Sequence, residues 1–105
     1  MNAAEIFEQM PDAFQAEKAG NLRATIQFNL SGEGGGDWAV AIADSTCTII
    51  EGQAEKPELT IGMAANDFVE MITGDLQPMV AFMQGKIRLQ GDTSLALRFQ
   101  ELFAR

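Results

Sequence analysis

Apolar and polar residues alternate strictly from Leu22 to Leu30. Leu22, Ala24, Ile26, Phe28 and Leu30 fall on one side, and Arg23, Thr25, Gln27 and Asn29 on the other. Period two sustained over this length predicts a strand with one buried and one wet face. Trp38 to Ala43 alternates again, after a glycine-rich loop, and predicts a hairpin partner. Asp44-Ser45 is a turn pair, and Thr46 to Glu51 reads as a third strand. Gly52 to Pro57 is a polar connection. Leu59, Ile61 and Met63 alternate with Thr60 and Gly62 as a fourth strand, and Ile87 and Leu89 lie in a short fifth one between Lys86 and Gln90.

Elsewhere the period changes to that of a helix. Ile6, Phe7, Met10 and Phe14 follow an Asn2/Glu5 pair that resembles a capping box. Pro11 interrupts this stretch, so two short helices or one kinked helix are expected, ending at Gly20-Asn21. Asn66-Asp67 reads as the cap of a helix that carries Phe68, Val69, Met71 and Ile72 and closes at Gly74. A second apolar helical segment, Leu76 to Met83, closes at Gly85. A last helix starts near Asp92 or Thr93 and presents Leu95, Ala96, Phe99, Leu102 and Phe103 on one face. Helices set against a one-sided sheet predict an α+β fold: five strands, largely antiparallel or mixed, with helices on one face.

The Leu76–Met83 segment is the most informative. Leu76, Met79, Val80, Phe82 and Met83 give it more apolar surface than a short surface helix needs. Unbranched Met beside Phe makes a wall that can re-pack. It suits a site for a greasy ligand of variable shape, and it also suits an ordinary core.

The chain has 105 residues, 47% of them hydrophobic and 21% charged, which is one ordinary globular domain over 1–105. No apolar run approaches the roughly 18 residues of a membrane span. The N-terminus lacks the basic head and apolar stretch of a secretory signal, and a cytoplasmic location is expected. A net charge of −8 opposes nucleic acid and anionic membrane surfaces, and no stable membrane insertion is expected.

Absent residue types narrow the chemistry further. There is no histidine and no tyrosine, so Ser-His and Cys-His dyads, the commonest metal ligand and phenol-based acid catalysis are missing. No cofactor and no metal site is expected. The single cysteine, Cys47, sits in a strand-like run and reads as a buried, inert thiol. Gly32-Glu-Gly-Gly-Gly-Asp37 opens onto a strand and not a helix, so it reads as a hairpin loop and not a phosphate loop. Gly85-Lys86 is followed by Ile87 where a Walker motif needs Ser or Thr. Asp37, Asp44, Glu51, Glu55 and Glu58 lack the spacing of a calcium loop.

Several motifs in order carry a family resemblance. They are Pro11-Asp-Ala-Phe14 with Glu17-Lys-Ala19, Gln27-Phe28, the glycine-rich loop before Trp38, Asp67-Phe68, Gly74-Asp-Leu-Gln-Pro78, and the run from Ala81-Phe-Met-Gln-Gly85 through Lys86-Ile-Arg-Leu-Gln-Gly-Asp92. Over nearly its whole length the chain resembles the sterol carrier protein 2 sterol-binding domain family. The resemblance implies a sheet whose helices enclose an apolar tunnel. It also implies non-covalent binding of sterols, fatty acids or fatty acyl-CoA, without catalysis. Carried over by position, the tunnel wall is Phe68, Met71, Ile72, Leu76, Met79, Phe82 and Met83, closed by Leu95, Phe99 and Phe103. The chain departs from animal members in its acidity and in lacking a peroxisomal C-terminal signal, which favours a bacterial-type carrier of acyl chains.

Two alternatives stay open on the residues alone. One is an interaction or dimerisation module, a homodimer included, using the Phe99/Leu102/Phe103 face. The other is an enzyme with Asp67 or Asp92 as a base in an apolar pocket.

Overall fold

The computed structural model describes residues 2–103. The elements run α1 (Ala3–Ala13), α2 (Ala16–Ala19), β1 (Ala24–Ser31), β2 (Gly36–Ala43), β3 (Thr46–Glu51), β4 (Leu59–Ala64), α3 (Ala65–Thr73), α4 (Pro78–Met83), β5 (Arg88–Gly91) and α5 (Ser94–Leu102). The sheet order is β3-β2-β1-β4-β5. Only the central β1–β4 pair is parallel, and its neighbours are antiparallel. The expected α+β class and five-stranded mixed sheet are therefore observed. Among the described residues, no helix is long and apolar enough to cross a membrane.

Local chemistry explains most boundaries. The Asn2 side chain caps α1 by accepting the Glu5 amide at 2.9 Å. Helix α1 continues through Pro11 to Ala13. Pro11 cannot donate to the Phe7 carbonyl, so the helix runs only two residues past it, and the break comes before the separate α2. Asp44 and Ser45 both take positive φ, 53° and 59°, in the two-residue hairpin between β2 and β3. A side chain at Gly35 would collide with the Leu30 carbonyl, so the tight β1–β2 loop needs glycine there.

Several boundaries differ from expectation: β1 begins at Ala24 and not Leu22, and β2 at Gly36 and not Trp38. Helix α3 starts at Ala65, its N-cap is Ala64, and no side chain caps it. Strand β4 runs straight into α3, so Asn66 and Asp67 lie inside the first turn instead of before it. Gly74 closes α3 in the left-handed conformation (φ 94°), as expected. Helix α4 starts at Pro78, not Leu76. Proline holds Gln77 extended (φ −77°, ψ 133°), so the helix cannot reach back past it. Strand β5 starts at Arg88, and Ile87 lies just before it.

The even-numbered face of β1 is buried as expected: Ala24, Ile26, Phe28 and Leu30 join the core. The opposite face is not wet. Gln27 is fully buried there, because the β3–β4 crossover passes over it. The Gln27 carboxamide accepts the Ala54 amide at 2.8 Å and donates to the Gly52 carbonyl at 3.0 Å. The Glu58 amide donates to the Thr25 carbonyl at 2.9 Å. One polar side chain thus replaces the ladder partners that this loop lacks. Helices cover one face of the sheet and the crossover covers the centre of the other.

Candidate functional site

The helical face of the sheet carries two kinds of apolar packing. Under α1, Phe7 is buried and stacks on Trp38 (centroids 4.7 Å apart) and Phe68 (5.2 Å), with its edge against Phe28 (5.4 Å). The aromatic row continues from Phe28 to Phe99 (5.2 Å) and on to Phe103 (4.7 Å). Beyond this row the packing opens into a cavity of about 340 Å³.

Phe28 and Ile61 from β1 and β4, with Phe68, form part of its lining. Met71 and Ile72 come from α3, Pro78, Met79 and Phe82 from α4, and Ile87 and Leu89 from the β5 region. Helix α5 contributes Thr93, Ala96, Leu97, Phe99 and Gln100, and Phe103 follows it. The lining is apolar apart from Thr93 and Gln100. A volume of this size lies within the roughly 300–1,000 Å³ of small-molecule sites.

The cavity is a cleft open to solvent and not the enclosed tunnel implied by the resemblance. Met79 is 66% exposed, Phe82 52% and Leu97 64%. Helix α4 is too short to seal it: its one buried side chain is Ala81. A smaller void of about 70 Å³ lies beyond Ile72, Phe99 and Phe103, bounded by Ile6, Met10 and Ala13. Those three shared side chains partition the two spaces.

Among the ten residues assigned from the family, Phe68, Met71, Ile72, Met79, Phe82, Phe99 and Phe103 line the cleft, while Leu76, Met83 and Leu95 do not. Leu76 is half-buried in the irregular link ahead of Pro78. Met83 lies one residue, roughly 100°, past Phe82 around the helix and is 78% exposed. Leu95 is buried in the core with Leu102, on the stripe of α5 that faces the sheet. The residues missed on α5 have a legible signal: Thr93, Ala96, Leu97 and Gln100 follow i, i+3, i+4, i+7 spacing and form a second stripe. Phe28 and Ile61 show only as inward strand positions, and whether such a position meets a helix or a void depends on helices distant in sequence.

A second hollow of about 490 Å³ lies between α1 and β3. It is larger, but Glu8, Thr48 and Glu51 share its walls with Phe7, Trp38 and Cys47, so it suits a lipid tail less well. Cys47 is half-buried instead of fully buried, and burial raises its thiol to about 11. The carboxylates considered as bases are not in the cleft. Asp92 lies at the start of α5, where its carboxylate accepts the Ser94 amide at 3.1 Å and hydroxyl at 2.6 Å. Asp67 sits in the first turn of α3. Among the described residues, no cluster of three or more Cys, Asp or Glu could hold a metal ion.

The SCP-2 sterol transfer family model matches residues 3–104. The chain belongs to this family. Lipid binding and transport are the family's activities. Hydroxysteroid dehydrogenase-like protein 2 of Mus musculus is 32% identical over 102 residues, which cover 96% of this chain and 21% of that protein. The chain therefore spans about a fifth of the length of that relative. The solution structure of palmitated SCP2L2 from Aedes aegypti has a TM-score of 0.80 at 23% identity and covers 100% of this chain and 96% of that one. The stereoselective inverting sec-alkylsulfatase Pisa1 from Pseudomonas sp. has a TM-score of 0.87 at 18% identity, over 100% of this chain and 17% of that one. At these identities the two structures establish the shared fold.

Proposed function

We propose that this chain is a non-catalytic carrier of a long-chain lipid, such as a fatty acyl chain or a sterol-like molecule, held in the cleft beneath α4 and α5. The observation that carries the reading is the cleft itself: an almost wholly apolar space of about 340 Å³ beside the packed aromatic row. Apolar surface left open to water in such a cleft is stabilised when an apolar ligand covers it. Phe28, Phe68 and Phe99 form the floor for the tail, and Met71, Met79 and Phe82 are the adaptable wall.

The energetics suffice without a charged anchor. Each buried methylene contributes about 0.8 kcal/mol. A tail of roughly fourteen methylenes then contributes about 11 kcal/mol before ordering and association costs, enough for micromolar or tighter binding. The lining offers no carboxylate, thiol or amine to a substrate among the described residues, and the chain has no histidine, which supports holding over chemistry.

Calorimetry with lipids of increasing tail length tests this. Affinity should rise per methylene until the cleft is full, with a negative heat-capacity change. Affinity that is flat with tail length overturns the reading.

A second reading concerns context. The matching region is a fifth of the dehydrogenase-like relative and 17% of the alkylsulfatase chain. The same cleft could present its lipid to a catalytic partner or domain, with the exposed Met79, Phe82 and Leu97 rim as the hand-over edge. Transfer of bound lipid to such a partner, followed by fluorescence, tests it. The face named for dimerisation from sequence fits this less well: Leu102 is buried in the monomer, and Phe99 and Phe103 are half-buried.

A further inference from the structure

We propose that the open edge of β3 and the hollow beside it form a docking groove for an extended basic segment of a partner protein, which adds to the sheet as a sixth strand. The hollow shares no lining residue with the cleft beneath α4 and α5, so the inference stands apart from the carrier reading.

The two edges of the sheet differ. Strand β5 has four residues and opens with Arg88, and a short, charged strand discourages further pairing. Strand β3 has six, Thr46-Cys-Thr-Ile-Ile-Glu51, and contains no Pro, Gly or Lys. It ends the sheet beyond β2, so alternate backbone amides and carbonyls along its roughly 20 Å point outward. Ile50 is 48% exposed on the face away from the helices and offers an apolar neighbour to an added strand.

The other face of β3 opens into the hollow. Cys47, Ile49 and Glu51 pair with Ile42, Val40 and Trp38, which turns them toward α1. Helix α1 faces them with Ala4, Phe7, Glu8 and Pro11, at i, i+3, i+4, i+7 spacing. The space between is about 490 Å³. Its apolar floor is fixed: Trp38 stacks on Phe7 at 4.7 Å, and a Cβ at Gly36 would stand 3.0 Å from the indole. Two exposed carboxylates complete the walls, Glu8 from the helix and Glu51 from the strand. Among the described residues the one ion pair joins Arg23 to Asp44, so neither glutamate is neutralised by it.

A strand laid along β3 satisfies its outward amides and carbonyls and sends alternate side chains over the hollow. An apolar side chain there meets Phe7, Trp38 and Ile49. A Lys or Arg two residues along meets Glu8 and Glu51, and a chain of net charge −8 attracts such a segment. A second copy of this chain is the poorer occupant. The one charge on its β3 is Glu51, which would bring like charge to like.

The capped peptide Thr-Lys-Val-Ile-Val-Lys-Thr tests this. It reads the same in both directions, so parallel and antiparallel addition present the same side chains. The single tryptophan lines the hollow, so Trp38 emission reports occupancy there and not in the cleft. The peptide should shift that emission, and the version with Glu in place of both Lys should bind about tenfold or more weakly. Added salt should narrow the difference. Glu51→Arg should reverse the preference between the two peptides, with Glu8→Arg as the companion variant if the first does not fold by circular dichroism. N-methylation of the central Val-Ile pair, which removes backbone donors and keeps the charges, should weaken binding about tenfold. No emission shift at millimolar peptide, or equal binding of the Glu version, overturns the proposal. Undiminished binding of the N-methylated peptide overturns strand addition and leaves a pocket for a cationic side chain. A dimer in sedimentation that the peptide dissociates assigns the edge to a second copy instead.

Discussion

The space under α1 and the space under α4 have similar walls and opposite outcomes. Both are apolar and rich in Phe and Met, and they share Phe28 and Phe68 as a partition. Under α1, an eleven-residue helix buries Ala3, Ile6, Phe7 and Met10, and the Phe7, Trp38, Phe28 and Phe68 rings pack about 5 Å apart. Under α4, six residues bury only Ala81, and Met79 and Phe82 overhang an open cleft. Residue type therefore does not separate core from site here. Helix length and offset from the sheet do.

The strongest way to break this comparison is at the partition. Phe28 is 1% exposed and touches the rings of Phe7, Phe68 and Phe99. Phe28→Ala should cost roughly 3–5 kcal/mol in denaturant unfolding. A cost below about 1 kcal/mol would mean that the two spaces are equally loose.

The overhang should behave in the opposite way. Met79→Glu or Phe82→Arg should weaken lipid binding about a hundredfold or more, near 2.7 kcal/mol, while unfolding stability changes by no more than about 0.5 kcal/mol. Parallel titration and unfolding of each variant checks this. Loss of stability equal to the loss of binding would place α4 in the core.

The crossover on the far face offers a control without apolar change. Gln27→Ala leaves the Ala54 amide and the Gly52 carbonyl without their buried partner, which should cost about 1–3 kcal/mol. Thr25→Ala, beside it and half-exposed, should cost little. Lipid affinity should stay unchanged in both variants.

The smallest effect concerns Cys47 in the hollow beside the packed half. Burial raises its thiol from 9.0 to about 11. A thiol reagent at pH 7.5 should therefore label it slowly without denaturant, and faster as the pH climbs toward 11. The folded state holds this proton more firmly than the unfolded chain does. The thiol's contribution to stability is then complete below about pH 9 and is lost as the pH rises through 11. Rapid labelling at pH 7.5 would show that the hollow admits water freely.

Much of this architecture was legible in the pattern. The alternation of β1, the Asp44-Ser45 hairpin and the Gly74 stop are local, and each appears where its chemistry predicts. Misreadings came where one element constrained the next. Pro78 cut the helix that Leu76 was expected to open, and β4 ran into α3 without a separate cap. Gln27 looked solvent-facing because nothing in its own strand shows that residues 52–58 return across it.

By itself, the sequence determined which residues turn inward, because the periods of strand and helix assign each side chain to a face through neighbours two, three or four residues away. Only the tertiary structure decided that the inward faces meet tightly under α1 and stand apart under α4. That gap depends on how α3, α4 and α5 seat on one sheet, which is set by packing between residues far apart in the chain.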